Sequence, residues 1–254
     1  MKKLLLASLI SGAAFTANAD VVTFDDSSFT GNPGSTVVFD LIDFDEDNAD
    51  VTQTDTDGSG NILGTEDFSE MGSTDIVNFK LGGAQLGVDP SYEVFFNYNF
   101  SGTATYDGLT GQIDVEFDAG NSGLYVDTNV NGTYDAGTQV ASFGVVGGSC
   151  TIQTQGWTPN TGGCGLLLDI NFAANYFYNK DGVDLSAVPG KKRATLIVTV
   201  QDILGLNFNY DQAFGSQNFQ IKHDGNMTMA VPEPASIAIL GLGLLGLAGA
   251  RRRA

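Results

Sequence analysis

The 254-residue chain is poor in the side chains that build most catalytic and zinc-binding sites. It contains one histidine, one tryptophan and two cysteines. With a single histidine and no Cys-x-x-Cys spacing, the chain lacks the four thiolate or imidazole ligands of a structural zinc site. No serine or cysteine nucleophile motif accompanies His223, so a hydrolytic triad has no support. We expect this histidine at the surface, near the end of a strand.

Basic residues are also scarce. Eleven lysines and arginines stand against thirty aspartates and glutamates, for a net charge of −19. Because Lys2, Lys3 and the arginines at 251–253 lie at the two ends, the body between them is more acidic still. Such a body repels phosphate backbones, which argues against nucleic acid as a partner. It suits divalent cations, or it serves only to keep the protein soluble.

Residues 1–19 have the three parts of a secretory signal peptide. Lys2 and Lys3 precede an apolar run at residues 4–10, and the segment closes on an Ala-Asn-Ala cleavage site at residues 17–19. The sequence therefore predicts an N-terminal signal helix, export from the cytoplasm, and a mature chain that begins at Asp20.

The two cysteines, Cys150 and Cys164, are expected to form one disulfide, because exported proteins meet an oxidising environment. The bridge would close a loop rich in glycine, threonine and glutamine that also contains Trp157. Closing a loop of this size stabilises a fold by roughly 3 kcal/mol.

The last segment, residues 231–254, reads as a membrane anchor with a fixed orientation. A rigid Pro232-Glu233-Pro234 opening is followed by apolar and small residues at 235–250 and then by Arg251, Arg252 and Arg253. A helix over the apolar run would be about 24 Å long, which approaches the roughly 30 Å hydrocarbon core of a membrane. The arginines would hold their end in the cytoplasm. We therefore predict a C-terminal transmembrane helix.

These three elements, in this order at the end of the chain, resemble the PEP-CTERM sorting domain of exported proteins in Gram-negative bacteria that make exopolysaccharide. The resemblance implies a transient inner-membrane anchor, recognition and cleavage by an exosortase, and delivery of the body to the cell surface or extracellular matrix. It covers about a tenth of the chain and does not reveal what the body does. The segment Gly123-Leu124-Tyr125-Val126-Asp127 also resembles flocculation-associated PEP-CTERM proteins.

Residues 20–230 read as strands. Alternation is clearest where Ile113, Val115 and Phe117 are separated by acidic residues, the pattern of a strand with one buried face. Further apolar or alternating segments, separated by turn residues, lie at 36–44, 75–81, 92–100, 124–127, 140–146, 166–172, 195–200 and 218–222. We expect an all-β body, a single antiparallel β-sandwich with a jelly-roll-like path. The acidic stretch at 43–57 is expected to be a long loop, and the clustered aromatic residues are expected to lie in the core.

The sharpest chemical signal is a twelve-residue segment with the ligand spacing of a calcium-binding loop, residues 55–66. Asp55, Asp57 and Ser59 occupy the first, third and fifth positions, and a glycine stands at the sixth. Asn61 would offer its carbonyl oxygen at the seventh position, and Glu66 is the acidic twelfth residue. The preceding residues look extended, so we expect a calcium loop without the helices of an EF-hand.

A second segment repeats part of this pattern. Its candidate ligands are Asp127, Asn129, Asn131, Thr133 and Asp135, with a glycine at the turn. A threonine stands where the acidic twelfth ligand belongs, so we expect weaker binding unless another segment contributes an oxygen. For both loops the alternative is a solvated hairpin turn, since aspartate, asparagine and glycine also dominate ordinary turns.

Together these features favour a non-enzymatic protein of the cell surface or matrix, acting in adhesion, flocculation or biofilm structure. Calcium would stiffen its loops or bridge it to exopolysaccharide. Two alternatives stay open: a secreted carbohydrate-active enzyme with structural calcium, and a lectin-like module that uses Trp157 and other exposed aromatic residues. A deep cleft with two facing carboxylates would favour the enzyme.

Overall fold

The computed structural model describes residues 20–61, 63–134, 137–155, 158–206 and 215–231, without the side chains at 154, 155 and 158–161. The predicted signal helix, the C-terminal helix, Trp157 and Asp135 lie outside the described residues. Within those ranges, no helix has the length and apolar character needed to cross a membrane.

The described part of the chain is built from strands and one short helix, α1 (Ser27–Thr30). The strands are β1 (Val22–Asp25), β2 (Thr36–Phe39), β3 (Leu41–Phe44), β4 (Asp47–Thr54), β5 (Gly64–Leu81), β6 (Ala84–Gly87), β7 (Glu93–Asp107), β8 (Gln112–Asp127), β9 (Thr138–Gln155), β10 (Thr158–Phe172), β11 (Phe177–Asn179), β12 (Lys192–Leu204) and β13 (Ser216–Ala230). The prediction of an all-β body is confirmed.

Ten strands form one antiparallel sheet that closes on itself. Their order is β12-β10-β9-β8-β7-β5-β3-β13-β4, with β6 beside β5. β3 and β4 follow one another along the same line, and each pairs with both β5 and β13. Because β12 also pairs with β13, the hydrogen bonding continues around the whole sheet. Closure pairs strand edges that would otherwise be open to other chains.

The strand order corrects the predicted jelly-roll-like path. From β7 to β10 each strand pairs with the next one in the chain, so this part runs up and down. These strands are 15 to 18 residues long, and long strands that are consecutive in the chain tend to pair directly with each other. Opposite walls still face each other as in a sandwich, since Tyr98 on β7 hydrogen bonds His223 on β13 across the interior.

Alternation along the strands fills the interior with apolar side chains. On β8, Ile113, Val115 and Phe117 are buried while the acidic residues between them are exposed, as predicted. Of the clustered aromatic residues predicted to be core, Phe96, Phe100 and Phe177 are buried, whereas Tyr176 and Tyr178 are partly exposed. The inward side chains of the closed sheet form one continuous apolar cluster.

A three-stranded sheet, β11-β1-β2, packs beside the closed sheet. Phe24 of β1 lies 5.1 Å from Phe177 and 6.1 Å from Phe79 between ring centres. Tyr92 donates a hydrogen bond of 2.9 Å to the buried carboxylate of Asp26. These contacts extend the aromatic core from the large sheet into the small one.

The predicted disulfide is present between Cys150 and Cys164. The two residues are directly opposite each other on β9 and β10. Both are buried and line the interior. The bridge therefore joins two neighbouring strands of the closed sheet in addition to closing the loop between them.

Two predictions about polar segments were wrong. The acidic stretch at 43–57 contains β4, where Ala49, Val51 and Gln53 are buried at alternate positions. His223 is 5 % exposed and points inward, and burial lowers its pKa. It lines an interior cavity of about 80 Å³ together with Glu70. Polar residues at inward positions conceal the strand pattern from the sequence.

Candidate metal centre

The first predicted calcium loop connects β4 to β5 at one end of the closed sheet. Thr54 and Asp67 pair across the base of this hairpin. Gly58 and Gly60 have φ angles of 71° and 70°, in the region where side chains with a Cβ are disfavoured. These two glycines let the chain turn tightly enough for its side chains to converge.

Three carboxylates meet in this loop. One oxygen from each of Asp55, Asp57 and Glu66 lies within 4.8 Å of the others. Asp55 accepts hydrogen bonds from the backbone N–H groups of Gly58 and Gly60, at 2.6 and 2.8 Å. The Gly60 N–H lowers the pKa of the Asp55 carboxyl. The loop backbone therefore holds this carboxylate in its charged form and in a fixed position.

Glu66 differs from the two aspartates because it is fully buried. Its Oε2 accepts a 2.7 Å hydrogen bond from the Thr56 N–H, while its Oε1 has no hydrogen-bond partner among the described residues. Burial raises the pKa of the Glu66 carboxyl, and the charges of Asp57 and Asp55 raise it further. A buried oxygen left without a partner costs stability. A cation at the centre of the three carboxylates would supply the missing partner.

The two other predicted ligands of this loop are held by short-range hydrogen bonds. The Ser59 hydroxyl donates to the Asn61 carbonyl oxygen at 3.1 Å. The Asn61 side-chain oxygen accepts from the Leu63 N–H at 2.8 Å. The structure thus places both residues in the turn, but the convergent group consists of the three carboxylates.

The second predicted loop follows β8 and contains another buried carboxylate. Asp127 is 3 % exposed. One of its oxygens accepts from the Asn129 N–H at 2.8 Å, and the other has no hydrogen-bond partner in the described part of the chain. Asn131 accepts hydrogen bonds from the N–H and hydroxyl of Thr133. The fifth predicted ligand, Asp135, lies outside the described residues.

Glu93 joins this second loop from a neighbouring strand, and sequence reasoning missed it. It stands directly opposite Asp127 in the pairing of β7 with β8. Its carboxylate accepts a 2.9 Å hydrogen bond from the Gly132 N–H, so the side chain reaches the turn of the loop. Glu93 is 34 residues before Asp127 in the sequence, and only the strand register brings the two together.

A model of the PEP-CTERM protein-sorting motif matches residues 230–253. The chain carries a PEP-CTERM sorting motif. The match includes the predicted Pro-Glu-Pro opening and the three arginines, and it implies an exported protein that passes through a membrane-anchored stage and is processed by an exosortase. Comparisons with curated proteins and with solved structures found no match.

The start of the sorting motif, at residues 230 and 231, and the first loop lie at opposite ends of β13. At one end, Val231 donates a hydrogen bond of 2.6 Å to Asp20, the first residue of the predicted mature chain. At the other end, the Asp55 N–H donates to the Gly215 carbonyl oxygen at 2.8 Å. A 15-residue strand spans roughly 45–50 Å at about 3.3 Å per residue. The first loop is therefore remote from the point where the tail leaves the body.

Proposed function

We propose that this protein acts at the cell surface or in the extracellular matrix as a non-enzymatic adhesion, flocculation or biofilm component with calcium-stabilised loops. The observation that carries the proposal is the convergence of Asp55, Asp57 and the fully buried Glu66. The sorting motif supports the location, because it implies export.

The first loop is better suited to calcium than to solvent alone. Three carboxylates within 4.8 Å repel one another when ionised, and the Glu66 charge is also removed from water. Calcium takes six to eight oxygens in flexible geometry, whereas magnesium demands a near-ideal octahedron. Carboxylates on a glycine-rich turn, with serine and asparagine oxygens close by, meet the calcium requirement.

The second loop gains from Glu93 the acidic oxygen that its own sequence lacks. Asp127 and Glu93 come from paired strands, and each contacts the backbone of the same loop. A site with ligands from two strands would cross-link β7 and β8 when the ion binds. Calcium at both loops would therefore stiffen two connections of the closed sheet.

The position of the first loop supports a role in contact with the surroundings. During the membrane-anchored stage the tail leaves from the end of β13 near Asp20, while the first loop lies at the other end. A calcium loop directed away from the membrane could bridge the acidic body to anionic groups on polysaccharide or on a second protein.

The test measures thermal unfolding of the exported, processed protein in calcium, magnesium and chelator. Calcium at about one hundred times its Kd stabilises by about 2.7 kcal/mol per site, which corresponds to roughly 5–10 °C in Tm for a body of this size. The double variant Asp55→Asn, Asp57→Asn should lose the part of the shift that comes from the first loop. Asp67→Asn, an exposed change next to Glu66, is the matched control.

A wild-type Tm that is the same in calcium and in chelator would contradict the calcium proposal. Cleavage of oligosaccharides by the exported protein would contradict the proposal that the protein is not an enzyme.

A further inference from the structure

An open depression of about 450 Å³ lies on the outer face of β7, β8, β9 and β10, and its lining does not include the calcium-loop carboxylates. Most of its lining side chains alternate with core residues such as Phe96 and Ile170, which places them outside the closed sheet, and the core residues Tyr98 and Phe143 also line it. Five of the thirteen lining residues carry side-chain amides. Small ligands bind at concave surfaces that combine apolar area with a few placed polar groups, which makes this depression a candidate binding site.

Strand register arranges the cavity in two rows across the four strands. One row runs Asn97, Gly123, Ser142, Asn171, and the next runs Asn99, Asn121, Gly144, Asp169. Neighbouring strands lie about 4.8 Å apart, so each row is roughly 14 Å long. Gly123 and Ser142 occupy the middle of the first row, and Asn121 and Gly144 occupy the middle of the second. The small residues Gly123, Ser142 and Gly144 leave a trough flanked by asparagines, with Asp169 at the far end of the second row.

An aromatic ring closes one end of the trough. Tyr125 is half-buried and stacks on Phe95 with ring centres 5.3 Å apart and an angle of 8°. Gln139 donates a 3.2 Å hydrogen bond to the Tyr125 hydroxyl. A Cβ on Gly123 would come within 2.6 Å of both side chains, so a glycine is needed for Tyr125 and Gln139 to sit against the trough. The ring is therefore held in place before any ligand arrives.

The amides around the trough keep their hydrogen-bonding capacity for a ligand. The side chains of Asn97, Asn99, Asn121 and Asn171 form no hydrogen bond with another described residue, and the Asn97 oxygen is buried as well. An amide side chain offers two donors and one acceptor oxygen. Adjacent hydroxyls on a ring require this combination, since each hydroxyl both donates and accepts.

The charge of the trough differs from that of the rest of the body. Asp169 is the one carboxylate among its described lining residues, and it is paired with Arg193 at 3.0 Å and with Lys191 at 3.5 Å. The trough is thus close to neutral on a protein with a net charge of −19. An anionic ligand would meet the repulsion of the body without a cationic pocket to offset it.

We propose that this trough binds a short segment of a neutral, hydroxyl-rich polysaccharide, with Tyr125 packing against the C–H face of a sugar ring and the asparagines hydrogen bonding its hydroxyls. This assigns a ligand class to the surface role proposed above and rests on that role, but it does not depend on calcium. Aromatic packing combined with amide hydrogen bonds matches the mixed apolar and polar surface of a sugar.

Gly144 provides a sharp test. A Cβ on Gly144 would meet nothing within 4 Å, and its backbone is not in the left-handed region, so Gly144→Leu should fold normally and fill the trough. Gly163 on β10 has the same open surroundings but lies outside the trough, so Gly163→Leu is the matched control. The probes are neutral gluco-, manno- and galacto-oligosaccharides and an acidic oligogalacturonate, titrated into the exported protein in chelator and followed by calorimetry.

We expect at least one neutral probe to bind with a Kd of about 1 mM or tighter. Gly144→Leu should weaken that binding at least tenfold, Asn99→Ala and Asn121→Ala should weaken it several-fold, and Gly163→Leu should leave it unchanged. Failure of every neutral probe to bind, equal binding by Gly144→Leu, or preference for the acidic probe would overturn the proposal. The calcium-dependent Tm shift of Gly144→Leu is measured in parallel. Because this shift reports on the calcium loops alone, it tests the calcium proposal separately from sugar binding.

Discussion

Glu70 should make the body less stable as the pH rises, which is the opposite of the effect that most carboxyl groups have. It lies on β5 between the exposed residues Ser69 and Met71, so its side chain points inward. There it lines the interior cavity with Tyr98 and His223. Burial raises the pKa of Glu70 from 4.5 to about 7. The charged form is therefore disfavoured in the folded protein.

The size of this effect on stability follows from the difference between the pKa values of Glu70 in the unfolded and folded states. In the unfolded chain Glu70 ionises near pH 4.5, whereas in the folded protein it ionises near pH 7. Between these values unfolding releases a proton, so the free energy of unfolding falls as the pH rises through this window. At 1.36 kcal/mol per pKa unit, the free energy of unfolding falls by about 3 kcal/mol in total. The full loss is present above pH 7, and none of it is present below pH 4.5.

Glu70→Gln removes the ionisation while keeping the size of the side chain. Urea unfolding at a series of pH values, in constant calcium, would give the stability difference between variant and wild type. We expect the variant to gain about 3 kcal/mol relative to wild type from pH 4.5 to pH 8. His223, whose lowered pKa favours the folded state as the pH rises, is present in both proteins and cancels in the difference. The exposed Glu116→Gln is the control.

A difference between Glu70→Gln and wild type that stays constant from pH 4.5 to pH 8 would refute the reasoning. So would a relative loss of stability by the variant as the pH rises.

Two other predictions concern the strand contacts and the second loop. Gly102→Ala should destabilise the body by about 1–3 kcal/mol or more in urea unfolding, because the new Cβ would overlap the Glu116 carbonyl oxygen of the paired strand. The control is Gly163→Ala, whose Cβ would meet nothing within 4 Å. It should change stability by less than about 0.5 kcal/mol in the same measurement. Glu93→Gln should weaken calcium binding at one of two calorimetric sites while sparing the site that contains Glu66, and an unchanged isotherm would remove Glu93 from the ligand set.

The sequence contained enough information for several of the strands and for the position of the first loop. Alternation of Ile113, Val115 and Phe117 reports the local geometry of a strand, in which successive side chains point to opposite faces. The fixed spacing from Asp55 to Glu66 likewise reports a local turn, and the structure brings the ends of that segment together. Both features depend on residues close together in the chain, so a single sequence can reveal them.

Features that depend on strand register could not be read in the same way. The closure of the sheet requires β12 to pair with β13, and the proximity of Glu93 to Asp127 requires a particular alignment of β7 with β8. A shift of one residue would direct Glu93 to the other face. The inward orientation of Glu70 was concealed for a different reason, because a polar residue at an inward position breaks the apolar pattern from which strands are recognised.

The trough could not be predicted from the sequence for the same reason, because it depends on strand register. Asn97, Gly123, Ser142 and Asn171 come from four strands and are ordinary surface residues when considered one at a time. Nothing in their spacing along the chain indicates that they share a row. Their common chemistry becomes visible only after the four strands are aligned.

The most direct test of the account measures the mass and location of the protein in cells with and without the exosortase. With the enzyme, we expect a chain that begins at Asp20, ends near the Pro-Glu-Pro segment at residues 232–234, and is found at the surface or in the matrix. Without it, the chain should keep residues 235–254 and stay in the membrane fraction. The same mass and location in both strains, or a released protein that retains its arginine-ended tail, would contradict the account.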